Sequence, residues 1–435
     1  MITTGLLDRH AGRRLGSEDR APLADLMRLH HVPAVSAAVL VDGGEPRPEA
    51  HGTATGETVF QACSISKHVA AFGTLRLVEQ GVLDLDEDVD AYLTSWRLPA
   101  SDGWRPVVTV RQLLSHTAGL SYNWFRGFHQ DDPVPTLRQV LDGEPPANTP
   151  PVRVSTLPGS RFRYSGSHYA VLQQLLEDVT GTPFTDLLRT LVLDPLGMAD
   201  SSYDQAFPHQ RPAAVGHHVD GEPLSGKWRV QPELAGAGLW TTPTDLVRLG
   251  AEVLRASTGR SALLTEHTAA DMLTPQVPGG YGLGVQVTAD RFGHTGGNIG
   301  YSCWLFTWPG TATTAAVMTN NAGADEVLVS LLDEADRRYT AVEAEGRPTG
   351  VYLVRDDYAI EITDTDGHLA LHTPNQVPVP LRPLAPGRYR AAGLDCEIRV
   401  TGPDTVELRQ ESDTTTAIRR VLTSGTPPPA GSAKG

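Results

Sequence analysis

The order of hydrophobic periods along the 435 residues predicts an α/β (α+β) fold in two parts. Strand-period runs at both ends of the first 340 residues bracket a stretch of helix-period runs. That order suggests one sheet from N- and C-terminal pieces, covered by a largely helical insertion. After about Ala341 the chain changes to short alternating runs separated by turn residues, the pattern of a small antiparallel β-barrel. At 46.7 kDa the chain is long enough for both a large core and a smaller second domain. The expected boundaries are a main domain over 1–340, a linker over 341–349 and a β domain over 350–422. The Pro/Gly/Ser/Ala-rich stretch 423–435 is expected to be a disordered tail.

The elements follow in order. Ala21 to His31 has the apolar spacing of a short amphipathic helix, and Val35 to Val41 is β-branched enough for a buried strand. Thr58 to Ala62 reads as extended, and Lys67 to Gln80 as an apolar-striped helix. A helix is expected around Val110 to Leu114. The Pro-, Asp- and Gly-rich stretch from Tyr122 to Pro158 reads as long surface loops. Helices are expected at His168 to Thr180, Pro183 to Val192 and Pro243 to Ser257. Strands follow at Tyr281 to Val287, Arg291 to Thr295, Tyr301 to Thr307 and Thr313 to Thr319, then a helix from Ala324 to Tyr339. The barrel strands are read at 358–362, 368–372, 378–381, 396–400, 406–408 and 417–421. Asp366-Gly367 and Gly402-Pro403-Asp404 are their clearest turns.

Composition narrows the function. A formal net charge of −15 argues against nucleic acid and anionic membrane surfaces as main partners. The sequence has no run of about 18 or more apolar residues that could span a bilayer. Met1 to Arg20 carries charges throughout and lacks the apolar core of a secretory signal, so a cytoplasmic location is expected. Cys63, Cys303 and Cys396 are too few for a disulfide framework. The adjacent pairs His30-His31 and His217-His218 lack the i, i+4 spacing of a metal site, so no metal is expected.

The chemistry begins at Ser64-Ile65-Ser66-Lys67. Lys67, Lys227 and Lys434 are the only lysines, and arginine supplies every other cationic side chain. Lysine can act as a neutral base and arginine cannot. Across one helical turn, Ser-x-x-Lys brings an amine over a hydroxyl at the positive end of the helix dipole. Acyl transfer also needs a proton relay and donors for an oxyanion, and it requires no organic cofactor. Arg163-Tyr164-Ser165-Gly166-Ser167, just before a helix, can present the Tyr164 hydroxyl. Gly293-His294-Thr295-Gly296-Gly297-Asn298 ends a strand where backbone can approach a ligand closely.

These stretches, in this order, resemble the serine β-lactamase and penicillin-binding-protein superfamily, in its class C-like branch of esterases, D-amino-acid peptidases, transacylases and peptide-cyclising thioesterases. Ser64-Ile65-Ser66-Lys67 is similar to the first motif, Tyr164-Ser165-Gly166 to the Tyr-x-Asn element, and His294-Thr295-Gly296 to the Lys-Thr-Gly element. Leu113 to Leu120, Gly236 to Pro243 and Gly293 to Gly300 add supporting similarity. The β domain resembles the lipocalin-like module that some members append. The resemblance implies a β-lactamase-like antiparallel sheet flanked by helices and an acyl-enzyme on Ser64, with Lys67 as base and Tyr164 as proton relay. It also implies an oxyanion hole from the backbone N–H groups of Ser64 and Gly297.

Two departures matter. Gly166 stands where the family usually has Asn, and His294 where it usually has Lys. They point away from a true β-lactamase towards an ester, amide or peptide substrate. They leave open a biosynthetic transacylase or cyclase, and a catalytically silent binding protein. His294 is read either as a stand-in cation, whose preference for anionic substrates would fade with rising pH, or as a structural histidine. Substrate contacts are expected from Gly166, His168, Thr295, Gly296, Asn298, Tyr122 and Trp304, with aromatic packing as the other reading for Tyr122 and Trp304. Cys63 is read as a small buried residue, and His116 as a buried, hydrogen-bonded one.

Overall fold

A computed structural model describes residues 11–13, 20–100, 103–277, 280–339 and 348–419, except 356–357, 366–367, 375–377, 386, 393–395, 403–404 and 411–412. The expected tail, most of the expected linker and both named barrel turns (the second in part) lie outside the described residues. The chain divides into two compact units, Met1–Tyr339 and Thr340–Gly435.

The first unit is built on a six-stranded antiparallel sheet. Its spatial order is Arg47–Gly52, Ala34–Val41, Thr313–Thr319, Tyr301–Trp308, Phe292–Asn298, Gln286–Val287. Strands from the two ends of the unit therefore meet, with Ala38 opposite Ala316. Both faces are buried, and the period of two divides them cleanly. Ala38, Leu40, Cys303 and Leu305 join the large core under the helical insertion. Val35, Val39, Trp304, Phe306 and Trp308 join a second core with the helices Leu23–Leu29 and Asp325–Tyr339.

Several expected elements shift for local reasons. The first helix starts after Pro22, which cannot donate to a preceding turn, and ends before His31 at a positive φ of 53°. Of the expected strand from Tyr281, only Gln286–Val287 forms. Gly284 there takes φ +78°, and a Cβ on it would lie 2.3 Å from the Cβ of Ala71. The chain turns to pass against the helix Ser66–Glu79 instead of extending. Past Leu188 the helix from Phe184 continues as a π-helical stretch, Arg189–Leu193. Three elements carry no clear sequence period: the exposed edge strand Arg47–Gly52 and the short Thr-capped helices Leu137–Asp142 and Glu266–Leu273. The edge strand has a solvated face and Pro48, as edge strands often do.

The second unit is an eight-stranded antiparallel meander in which the first strand, Gly350–Arg355, pairs with the last, Asp413–Arg419, and closes the barrel. This up-and-down architecture is that of lipocalins. Gly350–Arg355 and Arg388–Ala391 add to the strands read from sequence. Tyr352, Ile360, Leu371, Tyr389 and Ile398 fill its own core.

Candidate active site

Ser64 lies in a short 3-10 turn, Cys63–Ile65, that runs into the helix Ser66–Glu79. The turn is held from several sides. Phe60–Gln61 pairs with Trp240–Thr241. The Ser66 hydroxyl donates to Cys63 O at 2.6 Å and accepts from Leu239 N at 3.0 Å. Cys63 itself is buried in the left-handed region at φ 51°, an uncommon state for a residue with a side chain, and it packs beneath the turn. One helical turn on, Lys67 Nζ donates to Ser64 Oγ at 2.9 Å and to Gly236 O at 2.7 Å. Burial brings its pKa down to about 7.

The Ser64 side chain is among the groups that act on the Tyr164 hydroxyl, and burial holds that hydroxyl well above the ordinary phenol range. Its ring lies 5.1 Å from Lys67 Nζ and 4.3 Å, centroid to centroid, from the His116 ring. His116 adopts φ 57°; its carbonyl accepts from Arg163 N and its Nδ1 from Ser165 N, which fixes the segment carrying Tyr164. The Ser64 and Lys67 side chains, one helical turn apart on one segment, thus meet Tyr164 from a second, distant segment. Gly297 faces open space on the adjoining strand, while Gly296 packs beneath it against Ala62 O, Cys63 and Cys303.

The geometry corrects several expected contacts. His294 is not a stand-in cation. It is 1 % exposed, and burial followed by the nearby Lys67 charge brings its pKa down to about 3. Its Nδ1 donates to Thr295 O, so Nε2 carries the lone pair that accepts from the Tyr281 hydroxyl at 3.1 Å. The ring is neutral in a single tautomer. His168 does not line the cleft. It is fully buried beneath His116, with Nδ1 3.2 Å from Ser165 O. Trp304 does not face the cleft either. It lies on the opposite face of its strand from Cys303, and its indole donates to Leu328 O. The Asn298 amide nitrogen braces the site by donating to Gln61 Oε1 and Ala237 O. Thr295 and Tyr122 are exposed.

Three contributors were not read from sequence. Gly236 supplies the carbonyl that orients Lys67, and Tyr281 supplies the hydroxyl that fixes His294. Phe125 packs on Gly166, where a Cβ would lie 2.5 Å from its ring. Only Gly236 had a signal, since it opens a supporting stretch. Among the described residues no group of three or more His, Cys, Asp and Glu could hold a metal ion.

A family model described as Beta-lactamase matches residues 20–336. The chain belongs to the β-lactamase family. Among its relatives is "Esterase EstB" of Burkholderia gladioli, 33% identical over 45% of this chain and 52% of that protein. The chain thus matches about half the length of that curated relative. Two solved structures share the fold. SurE with D-Leu matches at 23% identity and TM-score 0.55, over 92% of this chain and 97% of that one. The D-amino acid amidase of Ochrobactrum anthropi SV3 matches at 22% and 0.60, over 74% and 99%.

Proposed function

We propose that this chain is a serine acyl hydrolase that works on an ester or amide through an acyl-enzyme at Ser64. The observation that carries this reading is the Lys67 amine, 2.9 Å from Ser64 Oγ and with a pKa near 7. Tyr164, held above its ordinary pKa, is the poorer base. Neutral Lys67 accepts the Ser64 proton as Oγ bonds to the substrate carbonyl carbon. The backbone N–H groups of Ser64 and Gly297 hold the resulting oxyanion. As the carbon–leaving-group bond breaks, Tyr164 hands its proton to the leaving oxygen or nitrogen and takes one back from Lys67. Water then repeats the cycle on the acyl-enzyme and releases the acid. The relatives named an esterase and an amidase support an ester or amide donor. A neutral His294 gives no permanent cation for the carboxylate of a β-lactam, which favours esters and amides over β-lactams.

Intact-protein mass spectrometry with an activated ester or a fluorophosphonate tests the reading. One adduct is expected on the wild type, mapping to Ser64 and absent from Ser64→Ala. An adduct that survives in Ser64→Ala, or one that maps to Cys63, overturns it.

A further inference from the structure

The residue at position 166 is glycine for a reason that its own backbone does not supply. Gly166 is the first residue of the helix Gly166–Thr180 and is not among the residues with positive φ, so its backbone accepts any L-residue. What excludes a side chain is a ring. A Cβ on Gly166 would lie 2.5 Å from Phe125 Cε2 and 2.6 Å from Cδ2, closer than such atoms come. The ring is held in place. Gly166 N donates to Asn123 O, and Asn123 N donates to Ser165 Oγ, both at 2.9 Å. Ser165 Oγ and Ser167 Oγ both donate to Ser121 O. Along this segment exposure alternates: Tyr122 and Trp124 face solvent, while Asn123 and Phe125 turn inward. Further along, Phe128 and Val230 exchange backbone hydrogen bonds. Phe125 also reaches Gly236, whose carbonyl holds Lys67.

We infer that Phe125 determines acyl-group selectivity. It fills the side-chain space at position 166 with hydrocarbon, so the wall two residues from Tyr164 favours plain apolar acyl groups over acylamino-substituted ones. The inference rests on the acyl-enzyme reading above. A group bearing an amide next to its reacting carbonyl would have to desolvate that amide against a ring that offers it no hydrogen bond.

A double-mutant cycle tests this. Wild type, Phe125→Ala, Gly166→Asn and the double variant are compared with two p-nitrophenyl esters, the butanoate and the N-acetylglycinate, which share a leaving group. Thermal unfolding is measured on all four. Gly166→Asn alone is expected to lower Tm, and adding Phe125→Ala to recover part of the loss. The double variant should shift the kcat/KM ratio towards the N-acetylglycinate by about tenfold, the scale of discrimination that small changes in a pocket supply. Phe125→Ala alone, which adds no volume, should move the ratio in the same direction by less. The inference is overturned if Gly166→Asn is as stable as the wild type, or if the ratio stays put in every folded variant. Fluorophosphonate labelling of the same four proteins separates the two levels. An unlabelled wild type sinks the acyl-enzyme reading itself, whereas labelled proteins with an unmoved ratio sink only the role of Phe125.

Discussion

Lys67 was legible in the sequence because it is one of three lysines and stands one helical turn from a serine. Its titration was not, because that depends on desolvation by residues far along the chain. With a pKa near 7 and the neutral amine as the working form, kcat/KM for a neutral ester should rise with pH and level off above about 7. It should fall as acid protonates the amine. Lys67→Arg keeps the charge but not the base, so a loss of about 10²–10⁴-fold is expected in stopped-flow acylation. For His294 the structure reverses the expectation from sequence. A ring with a pKa near 3 carries no charge at neutral pH, so an anionic and a neutral ester should give parallel pH profiles between mildly acidic and mildly alkaline conditions. His294→Phe should instead cost stability, about 1–3 kcal/mol for stranding the buried Tyr281 hydroxyl, measurable by denaturant unfolding.

At the scale of elements, the strand Tyr301–Trp308 was read correctly as a strand, yet the side chains it sends to the site were misjudged. Period two fixes which residues share a face. It does not say which face is the cleft when both faces are apolar and buried. Cys303 and Leu305 lie under the insertion, and Trp304, Phe306 and Trp308 lie against the terminal helices. Trp304→Ala should therefore lower stability by about 3–5 kcal/mol. The kcat/KM of the folded fraction should stay unchanged, as ester kinetics beside chemical denaturation would check. A selective loss of kcat/KM without loss of stability would return Trp304 to the cleft. The turn and helix from Cys63 to Glu79 show the opposite case. Ser64 and Lys67 were placed by local spacing alone, because i to i+3 geometry needs no tertiary partner.

At the scale of the whole molecule, the first unit buries an ionisable group that its sequence gave no reason to single out. Glu233 is 1 % exposed, its Oε2 has no partner among the described residues, and burial raises its pKa to about 8. Native protein then keeps this proton across a range in which the unfolded chain has released it. Stability should fall as pH rises from about 4.5 through about 8. Glu233→Gln removes that proton linkage. Its Tm should lie closest to that of the wild type at pH 5 and pull ahead of it towards pH 8.5. Parallel Tm curves for the two proteins across this range would show that Glu233 does not titrate in the native state.

By itself, the sequence determined the two-part architecture, the sheet made from both ends of the first unit, and the Ser64, Lys67 and Tyr164 constellation. Each is written in local signals: hydrophobic period, turn residues, and one-turn spacing between a hydroxyl and an amine. Tertiary structure alone decided which side chains turn into the cleft and which of them carry charge. Gly236 reaches Lys67 from 169 residues away, Tyr281 neutralises the reading of His294, and Phe125 fills the space above Gly166. Burial, protonation state and occupied volume are properties of the surroundings, and residues brought together from distant parts of the chain supply those surroundings.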